Sequence, residues 1–246
     1  GGSLTYHRFA IDNTAVLSEA ETLIANVASH PRIKVLTHAL CNGWFTDHYL
    51  PVIQGDRLFK VRAKSCVLAT GSSEQHVVFR NNDLPGVVLC SALERLINHY
   101  AVAPQGNLVV LAGNDQAWLT ALTASEAGLS VAAVVDLRKA PDNAALLAEA
   151  SARGITVHMG ATVYTARRDS ERQSLCSIDI HRIDAQGEAG ELIAQTDCAV
   201  LAMSAGFMPA YQLACQAGAK LDYDDDRAAF SLSGLPAGLV LAGSVN

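Results

Sequence analysis

The chain has 246 residues, half of them hydrophobic and 17% charged, with a net charge of −6. That length holds one large domain or two modest ones, and the composition supports a sizeable core and excludes extended disorder. No Lys/Arg cluster offers a footprint for nucleic acid or anionic lipid, and no run approaches the roughly 18 apolar residues of a membrane span.

In chain order, residues 14–29 read as an amphipathic helix, with Val16, Ala20, Leu23 and Val27 on one stripe and His30-Pro31 as its stop. Residues 33–45 are strand-like, and residues 58–63 alternate apolar and basic side chains as a half-exposed strand does. Residues 66–69 form a continuous apolar run ending in Thr70-Gly71, the pattern of a strand buried on both faces. A long connection carries turn signals at Asn81-Asn82-Asp83 and Pro85-Gly86. Ser91 and Glu94 have capping-box spacing and open a helix that ends near Tyr100.

A βαβ rhythm follows. Strand 108–111 leads to helix 116–127, strand 131–136 to helix 143–152, and strand 155–159 closes the series. Such alternation predicts an α/β fold with a parallel sheet. Residues 163–183 resemble a β-meander, and residues 198–203 a buried strand. Residues 238–243 are a short apolar strand entering a glycine turn, after which only Ser244-Val245-Asn246 remain. A helix normally covers such a turn, and no strand precedes the first helix. The expectation is a piece of a longer chain, cut at both ends inside one domain.

The turn at Ala112-Gly113-Asn114-Asp115 stands where a dinucleotide fingerprint belongs, between a buried strand and a helix. Gly113 suits the tight turn and Ala117 the helix–strand contact, but Asn114 replaces the glycine that lets a pyrophosphate approach. Asp115 places a carboxylate at the helix N-terminus, where it meets the helix dipole itself and repels phosphate. Asp136, about 20 residues further on, holds the position of a ribose-binding acid. Gly113, Asn114 and Asp136 are therefore candidate nucleotide contacts, and the competing reading is a Rossmann-type domain kept for structure. Trp118 starts the helix and reads as a packing residue, with a cover over an empty phosphate site as the alternative that would support the scaffold.

Two other turns form an ordered pair around this unit: Ala69-Thr70-Gly71, and Ala242-Gly243-Ser244. Both end apolar strands with small residues that admit a ligand to the sheet edge. The arrangement resembles two-dinucleotide-domain flavoprotein reductases. The stretch LATGSSEQHVVFRNNDLPGVVL, with Asn114-Asp115 and Asp136 downstream, is similar to the alpha subunit of heterotetrameric sarcosine oxidase, as is Gly1-Gly2-Ser3-Leu4. Two departures stand out. Glu74-Gln75-His76 replaces the family's Glu-Arg-Pro, and Ser244 stands where the family of reductases has an acid.

The resemblance implies a truncated, Rossmann-like FAD/NAD(P)-binding, disulfide-reductase-like architecture. Residues 1–103 and 208–246 belong to the first domain, and residues 104–207 to an inserted second one. The family's glycine fingerprint falls upstream of this sequence and its folate-handling region downstream. The resemblance also implies NAD as the cofactor, touched by Ala69, Thr70, Gly71, Gly243 and Ser244, with FAD and FMN elsewhere in a complex that oxidatively demethylates sarcosine. Partners would be the other oxidase subunits, or a second copy of this chain along an unpaired strand edge. A scaffold for subunit association is the alternative, as is an opine oxidase or hydrogen cyanide synthase subunit.

No Ser/His/Asp set, metal-ligand spacing or carboxylate pair occurs, so neither catalytic residues nor a metal are expected here. His76, His99 and His158 read as surface or satisfied residues, and Asp224-Asp225-Asp226 as a solvated turn. The six cysteines, Cys41, Cys66, Cys90, Cys176, Cys198 and Cys215, include no CxxC. They read as reduced thiols of a cytoplasmic protein, and a redox dithiol requires two of them to meet in space. The first residues show no signal-peptide pattern.

Overall fold

The computed structural model describes residues 2–6, 13–225 and 229–245. After a 3-10 turn at Gly2–Thr5 come helix α1 (Asn13–Ser29) and strands β1 (Ala39–Cys41), β2 (Tyr49–Gln54), β3 (Arg57–Arg62), β4 (Cys66–Leu68) and β5 (Ser72–Glu74). Next come β6 (Val87–Leu89), α2 (Cys90–Asn98), β7 (Leu108–Ala112), α3 (Asp115–Glu126), β8 (Val131–Asp136), α4 (Ala145–Ala152) and β9 (Thr156–Met159). A meander of β10 (Ala161–Arg168), β11 (Leu175–Ile183) and β12 (Ala189–Asp197) leads to β13 (Val200–Ser204). The chain finishes with β14 (Phe207–Pro209), α5 (Gln212–Gln216), β15 (Lys220–Asp224), β16 (Ala229–Ser233) and β17 (Leu239–Leu241).

Two compact units result, one from residues 1–17 and 74–206, the other from residues 18–73 and 207–246. The compact units divide at residue 74, where the sequence reading places the domain boundary at residue 104. The reason is β6, which joins the same sheet as the βαβ series. That sheet is parallel, in the order β6-β13-β7-β8-β9. Its strands read as unbroken apolar runs because both faces are covered. Leu108, Val110, Ala112, Val134 and Ala202 face Trp118, Leu122, Leu93 and Leu146 of the helices. Val109, Leu111, Val135 and Leu201 face Val163, Ile178 and Ile180 of the β10-β11-β12 meander.

The expected capping box at Ser91 is not formed. Helix α2 starts at Cys90, with Leu89 rather than Ser91 as its N-cap. Glu94 is buried and accepts from Thr120 Oγ1 at 2.6 Å and Gln116 Nε2 at 3.2 Å, so tertiary partners claim it. Its end of the helix is capped instead by Glu74, whose Oε2 accepts from the Ser91 amide at 2.9 Å.

In the other unit, β1-β2-β3 form an antiparallel sheet, β15 and β16 a hairpin, and β17 pairs with β4 in parallel. Trp44, Leu50, Leu68, Ala214 and Leu239 make its core. The strand read over residues 33–45 is confined to β1, and β2, β5 and the β15–β16 hairpin carry no clear sequence signal. Strand β4 is not buried on both faces: Val67 is 62% exposed and its neighbour Val240 55%. The α1 stripe likewise differs from expectation, since Leu23 and Val27 are exposed. Among the described residues, no helix is long and apolar enough to cross a membrane.

Candidate functional site

Parallel pairing of β4 with β17 aligns Val67 with Val240 and Leu68 with Leu241. The two turns after these strands, far apart in sequence, therefore emerge side by side at the carboxyl edge. The Ala242 amide donates to the Leu68 carbonyl at 2.8 Å. Ser72 Oγ donates to Ser244 Oγ at 3.3 Å. Thr70 Oγ1 donates to the Ala210 carbonyl at 2.9 Å, which ties down the first turn. Gly71 and Gly243 both sit at positive φ, 76° and 75°, where a side chain would strain the backbone. A Cβ at Gly243 would meet nothing within 4 Å, so the turn is open on that side.

Ala69, Thr70, Gly243 and Ser244 are exposed and Gly71 is half-buried. An adjoining pocket of about 320 Å³ is lined by Ser72, Phe207, Pro209, Phe230, Leu232 and Ser244. Backbone at a strand's carboxyl end, small residues and free space are what a nucleotide needs for close approach. The residues present at this edge fit such a group.

The turn after β7 differs in kind. Gly113 donates to the Ser204 carbonyl at 2.7 Å, and a Cβ there would lie 3.0 Å from Ala205 Cα and 3.1 Å from Ser204 O. The backbone after β13 thus packs closely against this glycine and leaves little room for a side chain there. Asn114 serves as the N-cap of α3: its Oδ1 accepts from the Ala117 amide at 3.1 Å, and its Nδ2 donates to Ser204 Oγ at 2.9 Å.

Asp136, placed at the ribose position by sequence, is fully buried. Its Oδ2 accepts from Trp118 Nε1 at 2.6 Å and from Arg138 Nη2 at 2.9 Å. Its Oδ1 accepts from the Arg138 amide at 2.8 Å and Arg138 Nε at 3.1 Å. Both oxygens face the protein's own donors, so the fit to a ribose hydroxyl fails. Trp118 packs, the first of its two readings. It is buried in the core with its N–H on Asp136.

Asp115 lies in the first turn of α3, where a carboxylate meets the helix dipole, and it has further partners. It accepts from the amides of Asp142 at 3.1 Å and Asn143 at 2.8 Å, and from Arg138 Nη2 at 2.9 Å. Arg138 is the residue that sequence reading passed over. The signal available was its position two residues after a strand-ending acid. Its hydrogen bond to Asp136 leads a set of contacts that hold its guanidinium protonated far above the ordinary range, against burial.

Burial works against the Asp115 carboxylate, but the Asn143 amide, Arg138 and the Asp142 amide together lower its pKa. A carboxylate whose folded pKa is depressed adds stability above its unfolded value, about 3.9, and loses it as pH falls through the folded pKa. Asp115→Asn is expected to cost about 1–2 kcal/mol at pH 7. Urea midpoints should show the gap between variant and parent closing below about pH 4.

Among the described residues, no group of three or more His, Cys, Asp or Glu could hold a metal ion. His158 has a pKa lowered by burial.

No family model matches the chain. It is 30% identical over 260 aligned residues to the sarcosine oxidase subunit alpha of Rhizobium meliloti strain 1021, covering 99% of this chain and 24% of that protein. It is 34% identical over 194 residues to the subunit alpha of Corynebacterium sp. strain P-1, covering 78% of this chain and 19% of that protein. The hydrogen cyanide synthase subunit HcnB of Pseudomonas aeruginosa is 28% identical over 191 residues, 70% of this chain and 40% of that protein. The chain thus spans a quarter or less of the length of the sarcosine oxidase subunits it matches.

Among solved structures, thioredoxin reductase of T. acidophilum superposes with a TM-score of 0.70 at 17% identity, over 100% of this chain and 79% of that one. L-proline dehydrogenase of P. horikoshii gives 0.61 at 21% identity, over 98% and 42%. The fold is the two-domain, Rossmann-like, disulfide-reductase-like architecture of FAD/NAD(P)-binding proteins.

Proposed function

We propose, from its distant homology to sarcosine-oxidase-like FAD/NAD(P)-binding oxidoreductases, that this chain is the cofactor-carrying part of an oxidoreductase subunit resembling sarcosine oxidase alpha. One observation carries the reading. The β4–β17 register brings Thr70-Gly71 and Gly243-Ser244 together at one open sheet edge. These turns, with Ala69, hold a nucleotide through backbone contacts. NAD is the group the resemblance indicates, carried as a bound group that does not turn over.

The second nucleotide-binding-like domain has another role in this reading. Gly113, Asn114 and Asp136 are satisfied by Ser204, Trp118 and Arg138, so the domain acts as a closed shell that supports assembly. Its partners are the other subunits of a hetero-oligomeric oxidase. Substrate chemistry, with FAD and FMN, is assigned to other parts of the complex, and the chain alone is inactive.

Calorimetric titration with NAD tests the site. Ser244→Trp fills the exposed edge without occupying a left-handed backbone position. It is expected to weaken NAD binding at least tenfold, while Asn114→Ala leaves it unchanged. The opposite pattern would move the site to the second domain. The HcnB match supports a second branch, hydrogen cyanide synthase. Steady-state oxidation of sarcosine, octopine and glycine by the assembled complex separates the branches.

A further inference from the structure

The six cysteines are free thiols, yet the fold brings two of them face to face. The β11–β12 ladder pairs Ile178 with Thr196 and Ser177 with Asp197. One step further along this register, Cys176 lies opposite Cys198. The Cys198 amide donates to the Cys176 carbonyl at 3.0 Å, which closes that step. Cys198 packs in the core cluster of Ile178 and Ile180, and Cys176 lies beside it at the bulged end of β11. Both cysteines line one pocket of about 280 Å³, with Asn107, Asp169, Arg172 and Ser174.

We propose that Cys176 and Cys198 are a dithiol that hydrogen peroxide converts into a cross-strand disulfide.

Directly opposed residues in an antiparallel pair have Cβ atoms about 4.5–5.5 Å apart, and a disulfide needs roughly 3.5–4.5 Å. The small approach required is available here. The β10–β11 register shifts between Arg167 and Arg168, leaving Cys176 in the bulge without a partner residue on β10. Cys176 is half-buried at the pocket, with its Sγ–H on the Arg167 carbonyl at 3.4 Å. Cys198 lies deeper, at 3% exposure. Burial first, then the nearby Cys176 and Asp197, push the Cys198 thiol up to about 12.

These environments order the steps. Cys176, as thiolate, attacks one peroxide oxygen. The S–O bond forms, the O–O bond breaks, and hydroxide leaves and is protonated to water. Cys198 then attacks the Cys176 sulfur. The S–S bond forms, the S–O bond breaks, and the sulfenic hydroxyl leaves as water with the Cys198 proton. The two thiols lose two electrons, and peroxide gains them. The bond would lock β11 to the start of β13, the strand whose end holds Gly113 and Asn114.

The test is peroxide treatment of the whole chain, then non-reducing tryptic mass mapping. Cleavage after Arg172, Arg182 and Lys220 puts the two cysteines on different peptides. The expected product is a reducible cross-link between them, lighter by two hydrogens. Cys198→Ser should stall Cys176 as a sulfenic acid that dimedone traps, and Cys176→Ser should leave Cys198 reduced. Cys41 and Cys66 form a control, since they share one hydrophobic cluster without a common ladder. Oxidation of Cys176 to sulfinic acid without a cross-link in the parent chain would overturn the proposal. So would a Cys41–Cys66 cross-link of equal yield, or no dimedone adduct in Cys198→Ser.

Discussion

Replacing Asp136 by alanine is expected to lower stability by about 3 kcal/mol, a Tm loss of roughly 6–12 °C for a chain of this size. The carboxylate is fully buried and accepts four hydrogen bonds, one from Trp118 and three from Arg138. Removing it leaves an indole N–H without its acceptor inside the core, and a guanidinium with Asp115 and Asp142 as its remaining acids. Truncating one side of such a pair costs more than the pair contributes, because the remaining group keeps its desolvation penalty. Trp118→Phe removes a single donor and should cost about 1–2 kcal/mol. Thermal unfolding of both variants, beside NAD titration, decides the role of Asp136. Loss of NAD affinity with unchanged Tm would make it a ribose contact instead.

Gly86→Ala is expected to destabilise the sheet by about 3 kcal/mol or more. Gly86 has φ 107°, and an added Cβ would stand 2.5 Å from the Ala199 carbonyl oxygen and 3.1 Å from Leu175 Cβ. The obstacle is backbone, which cannot rotate away. Its own carbonyl accepts from Leu201 at 2.9 Å, so the clash falls where β6 begins its pairing with β13. Gly128→Ala is the control. Gly128 also has positive φ, 84°, but nothing lies within 4 Å of its added Cβ. It should cost about 1–2 kcal/mol from the left-handed backbone alone. Urea denaturation of the two variants isolates the close approach. Equal losses would mean that Ala199 moves aside.

The two chemistries of turn explain why the candidate site was only partly legible. The pair Thr70-Gly71 and Gly243-Ser244 could be found because local pattern suffices: an apolar strand, small residues, then glycine. Asn114 was read as out of place for a phosphate turn, and in the structure it caps α3. What occupied the space was not readable. Ser204 and Ala205 reach Gly113 only because β13 inserts beside β7, across some ninety residues of chain. The Asp136 environment has the same origin, since Trp118 comes from the preceding helix and turns its N–H onto the strand end.

By itself, the sequence determined the βαβ series, the first two strands of the meander and the glycine turns, since period, punctuation and propensity act within a dozen residues; the third meander strand, β12, lay outside the range read. Strand 131–136 was read with the bounds that β8 shows. Only the tertiary structure decided where the domain division falls, because β6 belongs to whichever sheet supplies its hydrogen-bonding neighbour, and that neighbour is the distant β13. It also decided that Glu94 is a buried acceptor rather than a cap, and that Cys176 meets Cys198. In each case a polar or reactive group has several local partners that spacing would permit. Burial then selects the one that satisfies it, and burial is set by residues far away in the chain.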